Sequence, residues 1–214
     1  MLFPDRRTAG AQLGEKLRAL SPPDPIVLGL PRGGVPVAYE VALALDCPLD
    51  VLVVRKLGVP WQPELAMGAI GEGGVLVRSE DVLTAAGISE EELSRVVKSE
   101  SAELRRRVRQ YRSDDAAAFE GKTAIVVDDG LATGATAEAA LRVAGSLGAR
   151  TTWLAVPVAP RDTVQIMSRI AARVVVLSQP RSFGAVGLWY GDFAQTSDEE
   201  VRSLLEKSRL RWPD

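Results

Sequence analysis

The stretch Ala-Ile-Val-Val-Asp-Asp-Gly-Leu-Ala-Thr-Gly-Ala-Thr, residues 124–136, says most about how this chain folds. Its first four residues extend an apolar run that predicts a buried strand at residues 123–127. A turn of small residues follows, and residues 135–147 predict a helix that ends at Gly148. Two carboxylates and a helix start therefore meet in one short loop. Backbone N–H groups in such a loop, together with the positive end of the helix dipole, form an anion site.

Strands and helices alternate along the rest of the chain. Apolar runs predict strands at residues 26–30, 50–54, 151–156 and 173–177. Helices are predicted at residues 7–20, 35–45, 79–86, 89–112, 161–171 and 196–205. Two of these helices start at capping boxes, Ser89 with Glu92 and Ser197 with Glu200. The alternation predicts a parallel sheet covered by helices on both faces, with ligands bound beyond the carboxyl ends of its strands, in the loops at residues 31–36, 55–74 and 128–136.

The segment at residues 56–78 breaks this alternation because it is rich in glycine and proline. Only residues 68–70 and 75–77 have the pattern of extended chain. We interpret the segment as a mobile loop that runs into a hairpin.

Composition excludes several classes of function. The net charge of −2 and the pI of about 5.4 argue against a general nucleic-acid binder, which needs an excess of basic residues. The chain has no histidine and one cysteine, so zinc hydrolase and Ser-His-Asp chemistries lack their usual groups. No secretory leader and no apolar run of about 20 residues is found, so we expect a cytoplasmic protein with no membrane partner.

The loop at residues 128–136 has the chemistry that a sugar phosphate requires. Asp128 and Asp129 can accept hydrogen bonds from ring hydroxyls, while the glycines let the backbone curl around a phosphate. Thr133 and Thr136 add hydroxyl donors. A Walker A loop is excluded because the Gly-Lys-Ser/Thr ending is absent, and there is no Gly-x-Gly-x-x-Gly fingerprint.

This motif resembles the signature of the type I phosphoribosyltransferases, which is an apolar strand, two acids, small residues and Thr-Gly-x-Thr. The resemblance implies that Asp128 and Asp129 bind the ribose hydroxyls of 5-phosphoribosyl-1-pyrophosphate (PRPP) and assist Mg²⁺ indirectly, through PRPP and water. It assigns the 5′-phosphate to the residues of the turn, which are Gly130, Leu131, Ala132, Thr133, Gly134, Ala135 and Thr136.

Two other loops resemble parts of the same family. The Pro-Arg-Gly-Gly sequence after the first strand is similar to its pyrophosphate loop, so Arg32, Gly33 and Gly34 are expected to meet the leaving group. Arg55-Lys56 resembles a pair in adenine and orotate phosphoribosyltransferases, and implies a catalytic Lys56. Glu72 is the best counterpart of the acid/base glutamate of the adenine enzymes, and Glu64 is second.

The family fold implied is α/β, a parallel sheet flanked by helices on both faces, with a small hood subdomain from the chain ends. The core is expected at residues 25–180, with the mobile loop or hairpin at about 56–78 and the long helix at about 89–112. Residues 1–24 and 180–214 are assigned to the hood. Within it, Phe-Gly-Ala-Val-Gly-Leu-Trp-Tyr-Gly-Asp-Phe at residues 183–193 loosely resembles the purine-binding hood of hypoxanthine-guanine enzymes, which implies base-binding roles for Phe183, Val186, Trp189 and Asp192.

The resemblance implies an enzyme that transfers phosphoribose from PRPP to a nitrogenous base, purine-like first of all, and releases pyrophosphate. The hints from the adenine and the hypoxanthine-guanine enzymes disagree, so the base stays open. A PRPP- or nucleotide-binding regulator without turnover is the alternative, and a hydrolase of phosphorylated sugars is a remote third. A homodimer is also open, as is the role of Arg105, Arg106 and Arg107, which either grip a phosphate or form a solvated helix end.

Overall fold

The computed structural model describes residues 2–111 and 120–212, apart from the side chain of Glu64. Its helices are α1 (Arg6–Arg18), α2 (Gly34–Leu45), α3 (Glu80–Ala85), α4 (Glu90–Tyr111), α5 (Ala135–Ser146), α6 (Arg161–Met167) and α7 (Asp198–Arg211). Its strands are β1 (Pro25–Gly29), β2 (Leu49–Val51), β3 (Val54–Val59), β4 (Gln62–Gly71), β5 (Leu76–Arg78), β6 (Thr123–Val127), β7 (Thr151–Val158) and β8 (Arg173–Ser178).

The main sheet has five parallel strands in the order β2-β1-β6-β7-β8. After β1 the chain passes through α2 to the edge strand β2. After β6 it passes through α5 to β7, in the opposite direction along the sheet. The strand order therefore reverses between β1 and β6. In sheets of this kind the ligand crevice lies at such a reversal, beyond the carboxyl ends of the strands.

Helices cover both faces of the main sheet, as predicted. On one face, α1, α2 and α7 bury Leu13, Val41 and Leu205 in one cluster with Val27 and Ile125 of the sheet. On the other face, side chains of α5 and α6 are buried against the alternate residues of the same strands. Alternation of Cβ direction along each strand divides the apolar residues between these two layers.

The prediction of a mobile loop that runs into a hairpin at residues 56–78 is confirmed for the hairpin, since residues 68–70 pair antiparallel with residues 76–78. It is corrected for the loop, because residues 56–59 and 62–67 belong to strands. The strands β3, β4 and β5 form an antiparallel sheet, and Leu57 and Met67 are fully buried in it. The predicted strand at residues 50–54 is also divided, because β2 ends at Val51 and β3 begins at Val54. The glycines and prolines of this segment hide the alternating pattern by which strands are recognised.

The assignment of both chain ends to a hood is corrected for their helices. Leu17 of α1 and Leu204 of α7 are buried in the cluster that covers the main sheet, so these helices belong to the core layer. The short segments outside them lie together: the Phe3 N–H donates to the Trp189 carbonyl over 2.8 Å, and the Gly191 N–H donates to the Phe3 carbonyl over 2.7 Å.

Both predicted capping boxes mark helix starts. The Ser89 hydroxyl accepts from the Glu92 N–H, and the Glu92 carboxylate accepts from the Ser89 N–H. The Ser197 hydroxyl accepts from the N–H of Glu200. The predicted end of the long helix at Arg112 lies outside the described residues. Among the helices that the structure describes, none combines the length and the apolar character that a membrane span requires.

Candidate active site

The loop after β6 is built as the motif predicts. All five residues of β6 are buried, so the strand ends abruptly at the acid pair. Gly134 adopts a left-handed conformation (φ 81°) and caps α5, which a side chain at this position would strain. The Leu131 N–H donates to the Val158 carbonyl, and the Thr163 hydroxyl donates to the Ala132 carbonyl. These bonds fix the loop, while the first N–H groups of α5 have no partner within the helix and face the turn.

The Pro-Arg-Gly-Gly loop lies directly against the acid pair. A Cβ atom on Gly33 would come within 2.2 Å of Asp129 Oδ2, and one on Gly34 would come within 2.7 Å of the Val127 carbonyl oxygen. The peptide bond between Pro31 and Arg32 is cis. The loops after β1 and β6 thus approach each other to a distance that only glycine allows.

The two aspartates carry different partners. Asp128 is half-buried and its Oδ1 accepts from the Asp129 N–H over 2.9 Å. Burial, and then the neighbouring charge of Asp129, raise the pKa of Asp128 well above its ordinary value. Burial also raises the pKa of Asp129, but Arg6 opposes this shift by its charge and its hydrogen bond.

Arg6 is a site residue that the sequence analysis missed. Its Nε and Nη2 both lie 2.9 Å from Asp129 Oδ2, and its Nη1 donates to the Ala194 carbonyl. The guanidinium lies 3.9 Å from the centre of the Phe193 ring. Because Arg6 and Asp129 are 123 positions apart in the chain, and nothing in the local sequence marks Arg6, only the fold could bring the two together.

A cleft of about 340 Å³ opens beside this loop. Lys56, from β3, and Thr136, from the first turn of α5, both line it, so these predicted site residues come together. The other lining residues are Leu30, Pro31, Leu52, Val53, Val54, Arg55 and Arg107. Arg55 is held by Glu100, whose Oε2 lies 2.6 Å from its Nη2.

Two predicted catalytic residues have partners elsewhere. Arg32 Nη1 lies 4.0 Å from Asp198 Oδ1 at the start of α7. Glu72 Oε1 accepts from the Val53 N–H over 3.1 Å, which ties the small sheet to the connection between β2 and β3. This contact gives Glu72 a structural role next to the cleft.

Three of the four predicted base-binding residues, Phe183, Val186 and Trp189, pack against one buried cluster that includes Phe3 and Tyr190. Val186 contacts the loop after β6, since a Cβ on Gly130 would come within 2.6 Å of Val186 Cγ1. Phe183 and Trp189 stack on each other with ring centres 6.5 Å apart. Asp192 instead lines a second pocket, of about 260 Å³, together with Arg6.

Tyr190, within the aromatic segment at residues 183–193, is a second residue that completes the site. Its hydroxyl donates to the Asp129 carbonyl over 2.5 Å, and its ring packs on Phe3 and Phe193. Burial raises its pKa above the ordinary range, so it remains a neutral donor. Tyr190 therefore joins the segments around Phe3 and Phe193 to the backbone of the acid pair.

No cluster of three or more acid, histidine or cysteine side chains suited to a metal occurs within residues 2–111 and 120–212. The oxygen ligands nearest the loop are the two aspartates. They are of the type that Mg²⁺ accepts when most of its shell is water and substrate phosphate.

The fold combines a parallel sheet with a small antiparallel sheet, and the acid pair lies against a glycine turn where the strand order reverses. Together these features define an α/β protein of the phosphoribosyltransferase type. The chain belongs to the family described as the phosphoribosyl transferase domain, whose family model matches residues 11–177. The predicted family and fold class are thus confirmed.

Relatives share the architecture over almost the whole chain. A Mycobacterium tuberculosis (strain H37Rv) protein named "Putative phosphoribosyl transferase Rv0571c" is 50% identical over 208 residues, 97% of this chain. The chain spans about half the length of that relative, 47%. The crystal structure of TT1426 from Thermus thermophilus matches with a TM-score of 0.91 and 46% identity, over 97% of this chain and 99% of that one. None of these names states an acceptor base.

Proposed function

We propose that this chain is a phosphoribosyltransferase that binds PRPP at the crevice between β1 and β6 and transfers the phosphoribosyl group to a nitrogenous base, purine-like first of all. The observation that carries the proposal is the contact between the Gly33–Gly34 turn and the Asp128–Asp129 pair at the end of a buried strand. An anion site lies in contact with a pair of carboxylates. This combination suits a phosphorylated sugar, because the anion site can bind the phosphate while the carboxylates accept hydrogen bonds from a free diol.

The reaction breaks the bond between ribose C1 and the pyrophosphate oxygen and forms a bond from C1 to a ring nitrogen of the base. Positive charge grows on the ribose and negative charge on the departing pyrophosphate, so the protein contributes mainly orientation and charge stabilisation. Asp128 and Asp129 would hold the diol, and residues 130–136 the 5′-phosphate. Lys56, Arg32 and the amides of Gly33 and Gly34 would meet the pyrophosphate.

Mg²⁺ suits this arrangement as a cofactor. Bound to PRPP, it would neutralise charge on the pyrophosphate, with Asp128 or Asp129 assisting through water. The aspartates supply the hard oxygen donors, and Arg6 already occupies Asp129 Oδ2, which favours an indirect role over direct coordination.

The base would lie under the segment at residues 183–193, which contains the four predicted base-binding residues. Val186 beside Gly130 and Asp192 in the pocket with Arg6 support this position, while Phe183 and Trp189 form the stacked pair behind them. An acid/base role for Glu72 stays a prediction, since its Oε1 is bonded to the Val53 N–H.

Pyrophosphate release tests the proposal directly. The protein is incubated with PRPP, Mg²⁺ and a panel of bases, and we expect release that depends on one of the bases. Asp129→Asn is expected to weaken PRPP binding about tenfold in a calorimetric titration, because it removes a charged acceptor for the diol. Unchanged affinity in this variant would remove the ribose role of Asp129.

A regulator that binds PRPP without turnover is the second candidate. The bond of Glu72 Oε1 to the Val53 N–H favours it, because this structural contact engages the residue predicted for acid/base chemistry, which only turnover needs. Tight PRPP binding without pyrophosphate release for any base in the panel would support this alternative.

Arg6→Ala is expected to weaken PRPP binding about tenfold at pH 8, and more at pH 6. Arg6 opposes the rise that burial causes in the pKa of Asp129, so removing it raises that pKa further and leaves less of the ionised acceptor at lower pH. Titrations at both pH values check this, with the exposed neighbour Arg7→Ala as control. Tighter binding in Arg6→Ala would instead identify Arg6 as a competitor of the substrate.

A further inference from the structure

Arg107 of α4 lines the same cleft as Lys56 and Thr136, although it belongs to none of the family motifs. It follows Leu104 by three positions and precedes Tyr111 by four, so all three lie on one face of the helix. Leu104 and Tyr111 are both buried, at 6% and 7% exposure. This face of α4 is thus packed against the protein, and it directs Arg107 to the cleft.

Two contacts hold this end of α4 in place. The Tyr111 hydroxyl donates to Asp198 Oδ1 of α7 over 2.6 Å, which ties the end of α4 to another helix. Glu103 Oε1 accepts from Arg107 Nε over 2.9 Å. A guanidinium has five N–H donors, so the bond to Glu103 fixes its orientation and uses one of them.

The charge of the cleft identifies the kind of ligand. Among the described residues that line it, three are cationic (Arg55, Lys56 and Arg107) and none is acidic. Arg55 pairs with Glu100 and Arg107 with Glu103, and each guanidinium keeps further N–H donors for a ligand. Thr136 brings the proposed phosphate turn to the same wall. A cavity with these walls suits an anion larger than the single 5′-phosphate of the turn.

We infer that Arg107 binds the pyrophosphate group of PRPP, with Glu103 as the residue that positions it. This inference rests on the proposed function. The planar fork of arginine can engage two phosphate oxygens at once, which a lysine at this position would not reproduce.

The experiment compares Arg107→Ala with Arg106→Ala. Arg106 shares the partner Glu103 but is 57% exposed and lies outside the cleft, so it is a matched control for charge and for helix stability. Binding of PRPP, of inorganic pyrophosphate and of ribose 5-phosphate is measured by calorimetry in the presence of Mg²⁺. Thermal unfolding of each variant verifies that α4 is intact.

We expect Arg107→Ala to weaken binding of PRPP and pyrophosphate about 10- to 100-fold. Ribose 5-phosphate, which lacks the pyrophosphate, should bind to Arg107→Ala with unchanged affinity. Arg107→Lys should recover only part of the lost affinity for PRPP and pyrophosphate. The affinities of Arg106→Ala should stay within about twofold of those of the wild type.

Equal losses in the two alanine variants, or an equal loss for ribose 5-phosphate, would overturn the assignment of Arg107. Wild-type affinity for pyrophosphate in a folded Arg107→Ala protein would also overturn it. In each of these cases, PRPP binding by the wild type would leave the proposed function standing. If the wild type binds neither PRPP nor ribose 5-phosphate, the proposed function fails first and the inference with it.

Discussion

Gly33→Ala is expected to lower kcat/KM for pyrophosphate release at least about 100-fold, because a displacement of roughly 1 Å at a reacting centre has effects of this size. The new Cβ would lie 2.2 Å from Asp129 Oδ2 and 2.9 Å from its Cγ. The backbone of Gly33 has φ −61° and ψ −30°, which alanine adopts without strain. The effect is therefore steric, and it forces the carboxylate away from Arg6 and from the diol.

Gly145→Ala is the matched control for Gly33→Ala. Gly145 lies within α5, and no heavy atom would come within 4 Å of a Cβ at this position. Activity should stay at the wild-type level, and stability should rise by up to about 1 kcal/mol because alanine is the better helix former. Full activity in a folded Gly33→Ala protein would show that the position of Asp129 does not matter for turnover.

Asp128→Asn is expected to weaken PRPP binding at least about tenfold, because it removes a carboxylate proposed to hold the diol, and yet to make the protein more stable at neutral pH. Asp128 is half-buried at the end of a buried strand, and its removal from water and the charge of Asp129 raise its pKa well above the ordinary value. Ionising it at neutral pH therefore costs free energy, about 1.4 kcal/mol for each unit by which the pKa is raised. Asparagine carries no charge and keeps an oxygen that can accept from the Asp129 N–H.

The sign of the pH dependence follows from the raised pKa. The stability that the protonated Asp128 contributes is complete below the pKa of an unfolded aspartate and is lost as the pH rises through the higher folded pKa. Asparagine does not titrate, so the stability difference between variant and wild type should grow as the pH rises above about 4, the pKa of an unfolded aspartate. Urea unfolding across this range measures it, with the exposed Asp162→Asn as control. A difference that is constant with pH would contradict the buried-charge explanation.

Much of the site could be predicted from local patterns. The strand, turn and helix at residues 123–147 depend on an apolar run, on glycine at a left-handed position and on a helix start, all of which are encoded by neighbours in the chain. The parallel sheet followed from the alternation of elements in the same way. In the small antiparallel sheet, β3 and the first half of β4 were missed because Gly58, Pro60 and Pro63 interrupt the alternation within β3, the turn and β4.

The sequence by itself determined the fold class, the acid pair and the glycine turn, because each is specified by residues within one strand, loop or helix. Only the tertiary structure decided which groups complete the site. Arg6 reaches Asp129 from the first helix, Arg107 reaches the cleft from α4, and Tyr190 binds the backbone of Asp129 from the far end of the chain. The physical reason is that a hydrogen bond or ion pair depends on distance in space, and packing of helices on the sheet sets that distance without leaving a local signal.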